Sequence, residues 1–250
     1  MEDKESITIR KAVINQAINY IFEHIDEDIM VEDVAKYCSY SKYHLMRMFK
    51  EDMDEALYQF IKRVRLERSA WRLKVEKERS ITEIGETYGY SSSNFATAFK
   101  KHLDSSPADY RRSSEQMVED SSFSHGMTLD DLDDAGSKIT VEYLAPFTVL
   151  YERKKGNYHN LPDEWCDFIE KYKYFSTEDT LYIECTIDDP SITDENCCMY
   201  ELCQTVMPDD QKLKEHPEVL LHDFEGGKYA VYHFKGIPQL LFMVYQEIFC

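Results

Sequence analysis

The chain has 250 residues, of which 43% are hydrophobic and 31% charged, so it is long enough for two globular domains. It contains no run of about 18 apolar residues, which excludes a membrane span from the sequence pattern. The start Met1–Ser6 is polar and acidic, unlike a secretory signal, so we expect a cytoplasmic protein with no membrane partner.

The net charge of −19 would by itself argue against a nucleic-acid partner, but the charge is unevenly distributed along the chain. Residues 1–113 hold 19 basic and 20 acidic side chains, whereas residues 114–250 hold 10 and 28. Within residues 29–112, basic side chains outnumber acidic ones by 16 to 13. A DNA-binding surface is therefore expected only in the first part of the chain, and the acidic second part should be repelled by DNA.

Composition divides the chain into three parts. Residues 10–112 have few Gly and Pro and show apolar residues at helical spacing. Residues 114–138 contain an acidic run with Ser and Gly, which is typical of a linker. The linker could include a short helix. From residue 139 onward, β-branched and aromatic residues alternate with turn signals. We predict an all-helical domain at 1–113, an acidic linker at 114–138 and an α+β domain at 139–250.

The helical part contains an internal repeat with an offset of 50 residues and no gaps. Val31–Ala35 corresponds to Ile81–Gly85, and the matching residues continue to the end of each copy. Each copy is predicted to form a helix, a tight turn and a second helix. Ser41 is the predicted N-cap of the second helix in the first copy, and Ser91 or Ser92 has this role in the second copy.

The outward side of each second helix is the predicted DNA-contacting surface, because Arg and Asn can bind base edges and Lys attracts phosphates. In the first copy these residues are Lys42, Tyr43, Met46, Arg47 and Lys50. In the second copy they are Ser92, Ser93, Asn94, Thr97, Lys100 and Lys101, and Arg111 follows. Two such helices on one rigid connection would enter successive major grooves about 34 Å apart. The alternative is a helical bundle with polar faces that binds no DNA.

A single long helix is predicted between the two copies, from Glu55 to Lys77. Its polar face is rich in Lys and Arg. We expect most of these side chains to be solvated and one or two to contact phosphates.

Residues 10–112 resemble the AraC/XylS family of transcription regulators. The resemblance rests on Tyr40–Lys50, Arg65–Arg68, Ile81–Gly85, Gly89–Ser91 and Ser106–Arg111. It implies an all-helical fold with a pair of DNA-contacting helices, double-stranded promoter DNA as partner and RNA polymerase as a further candidate partner. Thr97 stands where the family often has Arg, so we expect the first copy to discriminate bases more strongly than the second.

The second domain is predicted to be α+β, with the order of a βαββ pseudo-repeat. Strands are predicted around Ile139–Tyr143, Thr148–Arg153, Leu181–Cys185, Met199–Val206 and Tyr229–Phe234. Helices are predicted around Leu161–Tyr172 and Gln239–Phe249.

Residues 139–250 resemble the GyrI-like effector-binding domain, on Gly156–Tyr158, Trp165, Asp188–Pro190, Cys198–Tyr200 and Gly226–Val231. The resemblance ends before the family's final strands, and the chain stops in an apolar helix, so we expect a fragment rather than a natural truncation. It implies a small lipophilic or cationic effector held among aromatic rings and carboxylates. The candidate ligand-binding residues are Tyr151, Trp165, Tyr182, Glu184, Tyr200, Glu201, Tyr232 and Tyr245. Any of these aromatic side chains could instead belong to the core.

The sequence thus predicts an effector-controlled DNA-binding regulator, most simply an activator, acting as a monomer or weak dimer. It shows no nucleophile elbow, phosphate loop or zinc-ligand spacing, so no catalytic residue, metal or cofactor is expected. Cys197 and Cys198 with Cys203 could hold a soft metal, but reduced thiols are the favoured interpretation. Two alternatives remain for the second domain, a hydrolase and a protein-interaction module that binds a basic partner.

Overall fold

The computed structural model describes residues 4–121 and 139–234. The chain forms two compact units, Met1–Glu67 with Pro146–Glu225, and Arg68–Ala145 with Gly226–Cys250. This division does not follow the boundaries predicted at 113 and 139, which remain a prediction. In the first unit, the sheet contacts the first helix through polar side chains, and these contacts join two distant stretches of sequence.

The N-terminal part of the chain is helical, as its periodicity predicts. Its helices are α1 (Lys4–Glu23), α2 (Val31–Tyr37), α3 (Lys42–Met53), α4 (Leu57–Val75), α5 (Ile81–Thr87), α6 (Ser92–Leu103) and α7 (Pro107–Ser121). Helix α7 continues past residue 113, so the first eight residues of the predicted linker are helical. No helix within residues 4–121 and 139–234 is long and apolar enough to cross a membrane.

The two helix-turn-helix copies close their turns with the same backbone geometry. Ser39 has a φ of 61° and Gly89, its equivalent, a φ of 77°. The next amide in each copy donates to the carbonyl of Ala35 or of Gly85, at 2.9 and 3.0 Å. The repeat seen in the sequence therefore extends to the hydrogen bonds of the turn.

Aspartates end both second helices in the left-handed conformation. Asp54 has a φ of 52° and Asp104 a φ of 54°. Asp tolerates this region better than most residues because its short polar side chain can bond locally. The chain can therefore turn sharply after each second helix without a glycine at this position.

The second part of the chain holds a four-stranded antiparallel sheet and a two-stranded one. The strands are β1 (Thr140–Leu144), β2 (Phe147–Lys155), β3 (Tyr182–Thr186), β4 (Met199–Val206), β5 (Leu220–Phe224) and β6 (Gly227–Val231). The larger sheet has the order β3-β4-β2-β5, and β1 pairs with β6 in the smaller sheet. The helices are α8 (Leu161–Tyr172) and the short α9 (Gln211–Glu215).

Alternation along the strands gives the four-stranded sheet two different faces. One face packs against α8, where Leu150, Tyr200 and Leu202 contact Phe168 and Tyr172. The other face carries a smaller cluster of Val149, Tyr151 and Cys203, with Ile183, Cys185 and aromatic side chains around it. The two faces are called the α8 face and the opposite face below.

The structure differs from the prediction at three elements. Strand β5 and helix α9 were not predicted, and β6 ends at Val231 rather than Phe234. The predicted helix Gln239–Phe249 lies outside the described residues.

Candidate functional site

Helix α3 is amphipathic, and its outer side presents the residues predicted to contact DNA. The Ser41 side chain accepts a hydrogen bond from the His44 amide at 3.4 Å, which confirms the predicted N-cap. Leu45, Met48 and Phe49 are buried on the inner side. Because these residues fix the rotation of the helix, the outer side is held toward solvent.

The outer side of α3 combines an aromatic ring with a cationic group. Tyr43 is 83% exposed and Arg47 is exposed. Within the part of the chain that the structure describes, the Arg47 guanidinium has no hydrogen bond or ion pair. Met46 is half-buried beside them. This surface is available for a partner, and its chemistry suits base edges in the major groove.

Two lysines at the ends of α3 have partners within the protein. The Lys42 ammonium lies 2.6 Å from a Glu32 carboxylate oxygen, and this hydrogen bond lowers the pKa of Glu32. The Lys50 ammonium donates to the backbone carbonyl of Asp54 at 2.8 Å. Both pairs are exposed, so exchange for a phosphate would cost little.

Helix α6 presents an outer surface of small polar residues. Phe95 and Phe99 are buried on its inner side. The exposed residues are Ser92, Ser93, Asn94, Thr97, Lys100 and Lys101. The Thr97 hydroxyl donates a hydrogen bond to the Ser93 carbonyl at 3.0 Å, so its proton is already used within the helix. Ser91 occupies the N-cap position without a side-chain hydrogen bond.

Arg111, which the sequence predicts to contact DNA, has hydrogen-bond partners within the protein. Its guanidinium donates to the carbonyls of Leu73, at 3.4 Å, and Arg79, at 2.8 Å. It thus satisfies backbone acceptors at and beyond the end of α4, where a helix leaves carbonyls without intrahelical partners. We assign Arg111 a structural role.

The basic face of α4 is also less solvated than expected. Arg63 is only 9% exposed and forms ion pairs with Glu55, at 3.0 Å, and Glu67, at 2.9 Å. The Arg65 guanidinium donates to the Glu27 and Ile29 carbonyls. These arginines hold the helices together, so they are not candidates for phosphate contacts.

Three of the predicted ligand-binding residues meet on the α8 face. The Trp165 indole NH donates to a Glu184 carboxylate oxygen at 3.2 Å. The Trp165 and Tyr182 rings are perpendicular, with centroids 6.1 Å apart. Tyr182 is 44% exposed and Glu184 is exposed, so this group is open to solvent. Two aromatic rings beside a carboxylate are a suitable environment for an organic cation.

The remaining candidates do not join this group. Tyr200 lies on the α8 face but has no exposed surface and packs against Tyr158, so it is a core residue. Burial, with the nearby charge of Glu164, raises its pKa to about 12. Tyr151 and Glu201 lie on the opposite face and are 4% and 8% exposed, which removes them from any shared pocket.

The last two candidates lie elsewhere. Tyr232 is half-buried and follows β6. Tyr245 lies outside the described residues. Neither is placed beside Trp165 by the described contacts, and their roles stay predictions.

A polar network that was not predicted joins the sheet to α1. The Arg153 guanidinium forms an ion pair with Glu201, and the two side chains are 8% and 10% exposed. It also donates to the Asn15 side chain at 3.2 Å and to the Asn19 side chain at 2.5 Å. Strand alternation could have indicated this, because it places Arg153 on the same face as the buried Val149 and Tyr151.

Comparison with known proteins identifies two domain types in the chain. Residues 34–113 match a family model described as a helix-turn-helix domain, and residues 137–249 match a GyrI-like small molecule binding domain. The regulatory protein SoxS of Salmonella typhimurium is 37% identical over 100 residues, which cover 40% of this chain and 92% of SoxS. The transcriptional regulator Rob of the same organism is 38% identical over 104 residues, which cover 41% of this chain and 36% of Rob.

A solved structure is also similar. The C-terminal domain of AraT, a response regulator from Geobacillus stearothermophilus, has 34% sequence identity and a TM-score of 0.39. The match covers 40% of this chain and 84% of that domain. The part of the chain that matches Rob spans about a third of that protein's length.

Proposed function

Because the chain belongs to the AraC family of transcription regulators, we propose that it binds promoter DNA and that a small molecule bound to its GyrI-like domain controls this binding. The observation that carries the proposal is the exposed surface of α3, where Tyr43 and Arg47 project outward from a buried apolar side. Arg is the side chain most often used to contact guanine in the major groove. The protein would act in the cytoplasm as a monomer or weak dimer, with RNA polymerase as a partner in activation.

The effector would be a lipophilic cation held by Trp165, Tyr182 and Glu184. Aromatic faces attract cations, and the Glu184 carboxylate supplies a counter-charge. Such a ligand would bias the protein toward one of two arrangements that differ in DNA contact. This cation would compete with the indole NH for Glu184.

The DNA-binding part is tested by selecting preferred sites from a random-sequence library at a fixed salt concentration. Arg47→Ala should lose about 1–3 kcal/mol of discrimination between the selected site and random DNA. Lys100→Ala is the matched control and should weaken binding to both DNAs about equally, because a lysine–phosphate contact carries no sequence information. Failure to enrich any site, or unchanged discrimination in Arg47→Ala, would contradict the proposal.

The effector part is tested by titrating the protein with a lipophilic cation and with its neutral analogue, following tryptophan fluorescence. Glu184→Gln should weaken cation binding and leave neutral-analogue binding nearly unchanged. Glu178→Gln is the control, because Glu178 is exposed and outside the group. Equal effects of the two substitutions on the cation would exclude Glu184 as its counter-charge.

A further inference from the structure

Three side chains able to bind a metal meet on the opposite face of the sheet. The Sγ atoms of Cys185 and Cys203 and a carboxylate oxygen of Glu201 all lie within 4.8 Å of one another. The register explains this proximity, because Cys185 on β3 faces Glu201 on β4, and Ile183 faces Cys203. Directly and diagonally opposed residues of paired strands share a face.

The two thiols already interact with each other. A hydrogen bond from the Cys203 thiol lowers the pKa of Cys185, although burial acts in the other direction. The same bond, together with burial, raises the pKa of Cys203. The two sulfur atoms are thus close enough for one cation to contact both.

We propose that Cys185, Cys203 and Glu201 bind one divalent thiophilic cation of the Zn²⁺ or Cd²⁺ type. Two metal–sulfur bonds of about 2.3 Å at a tetrahedral angle place the sulfur atoms about 3.8 Å apart. The donor atoms lie within 4.8 Å of one another, so they need to move together by no more than about 1 Å to bind one ion. Thiolates select soft and borderline cations over Mg²⁺ or Ca²⁺. Binding would release the two thiol protons to solvent, because thiolates are the ligands.

The charges around the three side chains favour a divalent cation over a monovalent one. Two thiolates and the Glu201 carboxylate carry three negative charges, and the Arg153 guanidinium beside Glu201 supplies one positive charge. A divalent cation makes the buried group neutral, which avoids the cost of an unpaired charge. Arg153 would also orient the Glu201 carboxylate, as groups around metal ligands commonly do.

The site is reachable from the edge of the sheet. Strand β3 is the edge strand of the order β3-β4-β2-β5, and Cys185 is only half-buried there. Cys203 is fully buried behind it. The sequence offered Cys197, Cys198 and Cys203 as a possible soft-metal site, with reduced thiols as the favoured interpretation, whereas the fold places Cys203 beside Cys185.

The test is a Cd²⁺ titration of the whole reduced chain, followed by the ultraviolet absorption of cadmium–thiolate bonds. We expect one tight ion per chain, with affinity reduced at least about 100-fold in Cys185→Ser and clearly reduced in Glu201→Gln. Two controls should bind like the wild type: Cys166→Ser removes an exposed thiol on α8, and Cys197→Ser removes the thiol of the earlier candidate set. Circular dichroism of each variant checks the fold.

Three results would overturn the proposal. They are the absence of tight Cd²⁺ binding to the wild type, wild-type affinity in folded Cys185→Ser, and loss of the tight ion in Cys197→Ser. None of these results bears on DNA or effector binding, so the proposed function is tested separately.

Discussion

The Arg153–Glu201 ion pair is buried within the sheet, and its arginine also bonds to α1. Breaking this pair should therefore cost far more stability than breaking an exposed one. Arg153→Met keeps most of the side-chain volume but removes the cation. Glu201 then remains a carboxylate that is 10% exposed, without its counter-charge. Removing one partner of such a pair typically destabilises a protein by about 3–5 kcal/mol.

Asn15 and Asn19 add little to this figure. Both are half-buried on α1, so water can replace the guanidinium as their hydrogen-bond donor. The penalty therefore comes mainly from Glu201.

The assay is urea unfolding in a Trp71→Phe background, in which Trp165 on α8 is the remaining tryptophan and reports on the sheet. A double-mutant cycle combines Arg153→Met with Glu201→Gln. The double variant should be about 2–3 kcal/mol more stable than additivity of the two single variants predicts.

Lys155→Met is the matched control for Arg153→Met. The Lys155 ammonium also reaches across to the helical part, where it donates to the Met53 carbonyl at 2.7 Å, but this contact is exposed. It should cost less than about 1 kcal/mol. Equal costs for the two substitutions, or additivity within about 0.5 kcal/mol in the cycle, would refute this account of the pair.

Two further predictions concern close packing and pH. Gly85→Ala should destabilise the protein by about 1–3 kcal/mol in thermal unfolding, because the new Cβ would lie 2.8 Å from the buried Phe95 ring. An unchanged melting temperature would contradict this. Burial tends to raise the pKa of Glu152, but hydrogen bonds from Lys171 and Lys154 outweigh it and lower the pKa from 4.5 to about 2. This carboxylate therefore contributes up to about 3 kcal/mol of stability above about pH 4.5, and the contribution is lost as pH falls toward 2. Solvent screening at the exposed Lys171 reduces this figure. Urea unfolding of wild type and Glu152→Gln should show this difference, and parallel pH profiles would exclude it.

Local pattern was sufficient for most elements of the fold. Helix α8 and strand β4 have the bounds that the sequence predicts, Leu161–Tyr172 and Met199–Val206. The helix is strongly amphipathic, and the strand is mostly apolar or β-forming despite Glu201 and Gln204. Strand β5 was missed because Leu220–Phe224 contains His and Asp and has no β-branched residue. Its extended conformation depends on pairing with β2, which lies about 70 residues earlier.

The candidate ligand residues could be sorted only in part from the sequence. Tyr200 and Glu201 are consecutive in β4, so alternation alone places them on opposite faces and excludes a shared pocket. The group of Trp165, Tyr182 and Glu184 needs the packing of α8 on β3, which no local pattern specifies. The burial of Arg63 was hidden for the same reason, because a basic side chain is expected in solvent unless its partner is known. Alternation along β2 indicates the face on which Arg153 lies, but not its partners Glu201, Asn15 and Asn19.

The contact between the sheet and α1 is formed by polar side chains, so a change of charge on the sheet can alter its hydrogen bonds. Arg153 divides its donors between Glu201 and the side chains of Asn15 and Asn19. Helix α1 in turn packs against α3, which presents Tyr43 and Arg47. We expect a cation bound to Cys185, Cys203 and Glu201 to shift Arg153 and, through these contacts, to change DNA affinity. Adjacency alone does not establish such coupling, so the measurement is DNA affinity with and without Cd²⁺ in wild type and in Arg153→Met. An equal effect of Cd²⁺ in both proteins, or no effect in the wild type, would contradict a coupling through Arg153.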